Sequence, residues 1–161
     1  DNAFSLKGIS LCFDAGSITA VVGRTGSGKS SLLSAILGDM ASVKGNLKLR
    51  KAAPIAYVPQ SAFIFNDTVR ENILFGEEFE EEHYRIAIEA ACLDRDFSLL
   101  PSSDMTEIGE RGVNLSGGQK QRVSIARALY HHRKADIFLF DDPLSALDAV
   151  VASQVQQKAF L

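Results

Sequence analysis

The chain has 161 residues, 46% hydrophobic and 23% charged, an ordinary globular balance in about one domain's worth of sequence. Its 17 Lys and Arg stand against 20 Asp and Glu, a net charge of −3, so no basic surplus exists to neutralise a phosphate backbone and a nucleic-acid partner is disfavoured. Cys12 and Cys92 have neither a disulfide-framework nor a metal spacing, which predicts two reduced packing thiols. No apolar run approaches the ~20 residues that span a bilayer. The sequence opens on Asp1 with no signal peptide, as a piece of a longer chain would.

In chain order, Phe4 to Phe13 alternates (Phe4, Leu6, then Ile9, Leu11, Phe13) and predicts a strand. Ser17 to Val22 is a short β-rich run ended by glycine. A helix is expected next, with Leu32, Leu33, Ile36 and Leu37 on one face and Gly38 as its C-terminal stop. Asn46 to Arg50 and Ile55 to Val58 read as further strands. Glu78 to Leu93 carries Tyr84, Ala87, Ile88 and Ala91 at helical spacing, after an acidic first turn. A second helix is expected from Gly117 to His131. Asp136 to Asp141 then reads as a strand apolar on both faces, as a central parallel strand is. Strand, glycine loop, helix and a later buried strand ending in Asp make the α/β pattern of a P-loop fold, with the helical middle inserted.

The chemistry begins at Gly23, Arg24, Thr25, Gly26, Ser27, Gly28, Lys29 and Ser30, which fit G-x-x-x-x-G-K-[ST] between a predicted strand and helix. The glycines let consecutive N–H groups converge on phosphate oxygens, and the helix adds its positive end. Lys29 would reach the β- and γ-phosphates and the Ser30 hydroxyl would ligate Mg²⁺. A chance match in a chain of this size is roughly one in two hundred, so a glycine-rich turn without a ligand is the weaker reading. Asp141, ending a buried strand, is placed to hold the Mg²⁺ shell. Alone it would be a common acidic turn.

Ser116, Gly117, Gly118 and Gln119 open the second helix, with Arg122 soon after. Ser116 and Gln119 have capping-box spacing, so a simply capped helix is the plainer reading. Two glycines in a first turn cost ~1 kcal/mol each relative to alanine. That cost makes sense where a ligand must approach a helix N-terminus closely.

Together these segments resemble the ABC ATPase family. Leu115 to Gln119 matches its signature, Gly23 to Ser30 its Walker A loop with Ser31 directly after, and Gln60 its Q-loop. Asp141 matches the Walker B aspartate, and Ser145-Ala-Leu-Asp148 the D-loop. The resemblance implies a RecA-like parallel-sheet core over residues 1–61 and 132–161, a helical subdomain over about 62–131, and part of an antiparallel β subdomain. It also implies ATP and Mg²⁺ as cofactors, with Ser30, Gln60 and Asp141 at the metal and Asp142 and Gln60 at the reacting water. Two such domains are expected to pair head to tail, the Walker loop of one and the signature of the other enclosing each ATP. The partners implied are a second ATP-binding domain and the transmembrane domains of the same parent chain, at the cytoplasmic face of a membrane, with the transported substrate bound elsewhere. Gln60 to Gly76 and Asp141 to Ala149 are similar to the first domain of the C subfamily, the multidrug-resistance-associated type. The Arg24-Thr25 pair is more like second domains.

The sequence departs from the family in two ways. The general-base position, usually Glu, is Asp142, one methylene shorter. A carboxylate drawn back by ~1 Å can cost on the order of 100-fold in rate, so slow hydrolysis at this half-site is expected. The family's switch histidine and adenine-stacking aromatic fall outside the chain, which predicts weak ATP binding and no hydrolysis by this piece alone. Phe4 reads as a strand core residue, His131 and His132 as last-turn charges, and His83 as a surface residue. A regulatory module that binds ATP without turnover is the alternative that Asp142 keeps open. A soluble ABC ATPase acting on DNA or ribosomes fits the acidic balance less well. Phe63, Ile64 and Phe65 either meet a membrane partner or pack the helical subdomain, and the sequence favours neither.

Overall fold

Residues 6–40, 44–49, 53–109 and 112–160 are described by the structure, a computed structural model. Contacts within the chain divide it into two compact units, residues 1–52 and 53–161.

Among the described residues of the first unit, the helix is α1, Lys29–Leu37. Gly28 precedes it in a left-handed conformation (φ 98°), which an L side chain would resist. Gly38 ends it as expected, its N–H reaching Ala35 O at 3.3 Å. The strands expected at Phe4 to Phe13, Ser17 to Val22 and Asn46 to Arg50 are absent from the described residues of those segments, and Phe4 and Arg50 themselves lie outside them. The reason is the missing ladder. Alternating hydrophobicity says which face a strand would bury, but a strand needs a neighbour to take its N–H and C=O groups. Here the chain turns instead at Asp14, whose carbonyl accepts from both Ser17 N and Ser17 Oγ. Leu11, Ile18 and Val22 stay exposed, and no described residue of this unit is buried.

The second unit holds the core. Strand β1 (Ile55–Val58) lies parallel to β4 (Ile137–Phe140), with Ile55 opposite Ile137 and Val58 opposite Phe140. Both strands fall where the sequence places them. Leu139 is buried, whereas Ile137, Phe138 and Phe140 are half-buried, because β1 is the one neighbour β4 has among the described residues. A parallel pair needs a long crossover, and the middle of the chain supplies it as helices. These are α2 (Val69–Leu74), α3 (Glu81–Ala90), α4 (Asp94–Leu99) and α5 (Gly117–Tyr130). A short antiparallel pair, β2 (Asp67–Thr68) with β3 (Glu107–Ile108), pins α2 at its start. This antiparallel pairing falls in the middle of the sequence. Helix α6 (Ala149–Val155) follows, capped by Asp148 Oδ1, which accepts from Val150 and Val151 N at 3.1 Å. Helix α5 packs on α2, α3 and β1, so Val123, Ile125 and Ala126 join Val58, Ile73 and Leu93 in a fully buried cluster. No helix among the described residues is long and apolar enough to cross a membrane.

One buried polar side chain orders the segment between β1 and α2. Asn72 Oδ1 accepts from Phe65 N at 3.0 Å, while its Nδ2 donates to Phe65 O (3.0 Å) and Thr68 O (2.9 Å). Arg127 of α5 donates to Asn72 O at 2.7 Å and to Asn72 Oδ1 at 3.3 Å, its guanidinium 4.8 Å from the Phe75 ring centroid. The two readings of the aromatic run are thereby divided. Ile64 packs against the core, Phe65 is half-buried beside Phe75, and Phe63 projects with 59% of its surface exposed. His83, expected on the surface, is mostly covered: its Nδ1 lies 3.0 Å from Glu80 Oε2 and its ring meets His132 edge-on.

Two outcomes follow from this packing. Asn72→Ala strips partners from Phe65 N, Phe65 O and Thr68 O at once, and a loss on the order of 3 kcal/mol is expected in chemical denaturation. His131 Nε2 is buried without a partner, and burial depresses this imidazole below its ordinary 6.5 despite the nearby Glu77 carboxylate. The unfolded chain therefore takes up this proton at higher pH than the folded one. Stability from this site is full above about 6.5 and falls as pH drops below it. His131→Gln should flatten that part of the pH–stability curve.

Candidate nucleotide-binding site

In the first unit the glycine-rich loop closes on itself, Ser27 N donating to Arg24 O at 3.1 Å. Thr25 and Gly26 form its tip. Lys29 Nζ donates to Gly23 O (2.9 Å) and Arg24 O (3.1 Å), which lays the ammonium across the loop. Ser30 and Ser31 occupy the first turn of α1, which contains no acidic residue. From Gly23 to Ser31 the groups on offer are N–H donors, hydroxyls and two cations, with no carboxylate to repel an anion. That donor set fits a phosphate chain.

The second unit gathers the remaining motifs around the N-terminal end of α5. Strand β1 delivers Pro59 and Gln60, and β4 delivers Asp141 and Asp142. Asp141 N donates to Val58 O at 2.9 Å, so Gln60 and Asp141 leave the carboxyl ends of adjacent parallel strands, where α/β folds place ligands. Asp141 is buried. Asp142 sits at φ 50°, a left-handed conformation that Asp tolerates better than most residues, and Ser145 donates to its carbonyl through N (3.3 Å) and Oγ (2.9 Å). The segment Ser145 to Asp148 then runs into α6.

Ser116 and Gln119 form a reciprocal capping box. Gln119 N donates to Ser116 Oγ at 3.2 Å and Ser116 N to Gln119 Oε1 at 2.8 Å. The capping reading therefore holds, and it leaves Gly117 and Gly118 as the first two helical residues, whose N–H groups have no intrahelical acceptor. The two glycines differ in surroundings. A Cβ on Gly118 would lie 3.0 Å from Ala146 O and 3.5 Å from Leu147 Cδ2, so its small size lets the signature press on the D-loop. A Cβ on Gly117 would meet nothing within 4 Å.

Sequence reasoning passed over three residues at this site. Gln121 is fully buried and donates from Nε2 to Pro59 O at 3.2 Å, tying α5 to the residue beside Gln60. Arg122, noted only for its proximity, pairs with Asp96 of α4, and Asp96 also accepts from Gln119. Gln121 reads as a solvated helix position, and Asp96 as one more acid in a polar stretch. Their signal would be the glycine-opened helix itself, whose first turn needs side-chain support.

A phosphate-directed loop opening a helix, with carboxylates at the ends of parallel strands, defines a P-loop nucleotide-binding domain. The profile of the ABC transporter family matches residues 6–145, and the chain belongs to that family. It is 49% identical over 160 residues to ABC transporter C family member 12 of Dictyostelium discoideum, covering 99% of this chain and 12% of that protein. It is 51% identical over 154 residues to ATP-binding cassette sub-family C member 2 of Mus musculus, covering 96% and 10%. The Homo sapiens protein of the same name is 49% identical over 158 residues, covering 98% and 10%. The resemblance to the C subfamily thus holds, and the chain spans about a tenth of the length of these relatives. ATP-binding domains of this family are ATP hydrolases.

The two glycines separate packing from ligand approach. Gly117→Ala should keep or raise the stability of the fold, by up to about 1 kcal/mol in helix propensity. Any loss of ATP turnover in the full-length parent would then report an approaching molecule. Gly118→Ala should displace the Ala146 carbonyl by a few tenths of an ångström, visible as changed amide exchange in residues 145–148.

Proposed function

We propose that this chain binds Mg²⁺-ATP as one half of a head-to-tail pair of domains and couples that binding to export through membrane segments of its parent. The observation that carries the reading is that Gln60 and Asp141 leave adjacent parallel strands while α5, which opens on the signature, meets Pro59 and Ala146 beside them. Gln121 and the Gly118–Ala146 contact hold these motifs in one unit.

In this reading the loop from Gly23 to Ser31 grips the phosphates, Lys29 leaving the Gly23 and Arg24 carbonyls to meet them. Ser30, Gln60 and Asp141 would hold Mg²⁺, which would supply charge neutralisation at the phosphates. Asp142 takes the proton of the attacking water. Ser116, Gly117, Gly118 and Gln119 complete the site built on the partner domain. Residues 1–61 and 132–161 act as the core and about 62–131 as the helical subdomain. Phe63, with its exposed ring, faces the membrane domains at the cytoplasmic side.

A second reading, a regulatory module that binds ATP without turnover, is favoured by Asp142. The shorter side chain retracts the carboxylate, and the left-handed backbone limits what can replace it. Glu adopts φ > 0 less readily than Asp, a difference of roughly 1 kcal/mol. That strain takes a factor of about five from the ~100-fold gain expected from restored reach, leaving a net rise of roughly twentyfold.

Single-turnover hydrolysis in the full-length parent, with the partner's own catalytic residue disabled, tests both readings. Slow turnover raised about twentyfold by Asp142→Glu and abolished by Lys29→Ala supports a site tuned to hold ATP. Turnover that stays at background in both Asp142 and Asp142→Glu proteins, with ATP still bound, supports the regulatory module. Brisk turnover with Asp142 in place defeats the idea of a slow half-site.

A further inference from the structure

We propose that Asp96, its carboxylate held by Arg122, is a positioning residue for the signature turn, acting on the partner's nucleotide through Gln119. The inference rests on the reading above, that Ser116 to Gln119 completes a site on the partner domain.

Asp96 lies in the first turn of α4, outside every motif, yet its carboxylate serves two residues of α5. Arg122 grips it with both nitrogens, Nη1 to Oδ2 at 2.5 Å and Nη2 to Oδ1 at 3.0 Å. Gln119 Nε2 donates to Oδ1 at 2.9 Å. The pair is largely sheltered, with 13% of the Asp96 and 12% of the Arg122 side chain exposed, so solvent screens it weakly. The same guanidinium donates to Cys92 O at 2.6 Å and reaches Gly118 O at 3.4 Å.

The consequence lies in the Gln119 amide. Its Oε1 must point at Ser116 N for the capping box to close, and a carboxamide left alone can rotate that oxygen away. With Nε2 fixed on Asp96, the amide plane has both ends tied and only one orientation remains. Ser116 and the two glycines then present a pre-set turn, with its ordering cost met in folding rather than at each binding event. A purely structural ion pair would need the Arg122 fork alone. The bond to Gln119 instead spends one carboxylate oxygen on the residue that closes the signature.

The test uses the full-length parent, with 8-azido-ATP labelling and turnover followed separately at each site after limited proteolysis. Asp96→Ala should raise KM for ATP and lower turnover several-fold at the partner's site, while labelling at this chain's own Lys29 loop is unchanged. Because Asp96 acts through Gln119, adding Asp96→Ala to Gln119→Ala should produce little further loss. Should Asp96→Ala fail to fold, Asp96→Asn keeps one acceptor oxygen for Gln119 while giving up the charge and the second acceptor toward Arg122. It should show a smaller loss at the same site. Equal losses at both sites, or fully additive losses in the double variant, overturn the proposal. Gly117→Asp is the control for the underlying reading, since a Cβ there would meet nothing within 4 Å among the described residues. If Gly117→Asp leaves the partner's site untouched, the signature does not serve it, and the role of Asp96 falls with that reading.

Discussion

The parallel pairing of β1 with β4 is the constraint on which the rest of the second unit depends. Two strands running the same way cannot be joined by a tight turn, so the whole middle of the chain must rise from one end of the sheet and return to the other. Helix α5 makes that return possible. It buries Val123, Ile125 and Ala126 against α2, α3 and β1, and it brings the chain back to the start of β4. The motif residues at the strand ends inherit their positions from this geometry. Val58 and Asp141 are joined by a backbone hydrogen bond, so Gln60 and Asp141 cannot move far apart while the ladder holds.

Hydrophobic burial fixes where α5 lies, and polar contacts fix how its N-terminal end is presented. Gln121 anchors it to Pro59, Gly118 lets it touch Ala146, and the Asp96–Arg122 pair steadies its first turn from α4. The Gln121 bond and the Asp96–Arg122 pair join sheltered polar groups that must find partners, so both penalise misplacement more steeply than apolar packing does. The division of labour suits a site that has to meet another molecule at a defined distance.

Much of this was legible in the sequence, for identifiable reasons. The strands Ile55 to Val58 and Asp136 to Asp141 and the helix from Gly117 were readable because each combines a clear apolar pattern with a cap or terminator. The glycine loop and the signature carry residue types that few other chemistries require. Helices α2, α4 and α6 were missed because six or seven residues hold too little periodicity. The strands expected before residue 50 were misjudged for the opposite reason. The alternation of Ile9, Leu11 and Phe13 is plain, but pairing is a non-local property that no run of residues contains. Asp96 was invisible because its importance comes from Gln119 and Arg122, which meet it only after α4 and α5 have packed.

The arginine on α5 that faces α2 differs in kind from the one that faces α4. Arg122 is answered by a carboxylate. The contacts described for Arg127 are to the Asn72 carbonyl and amide oxygens and to the rings of Phe65 and Phe75, and burial alone lowers its affinity for its proton. Mobile ions weaken attraction between full charges but act little on a sheltered cation held by dipoles and ring faces. The joint between α5 and the segment that follows Gln60 is therefore nearly indifferent to ionic strength. Its contacts hold alike in dilute buffer and in concentrated salt.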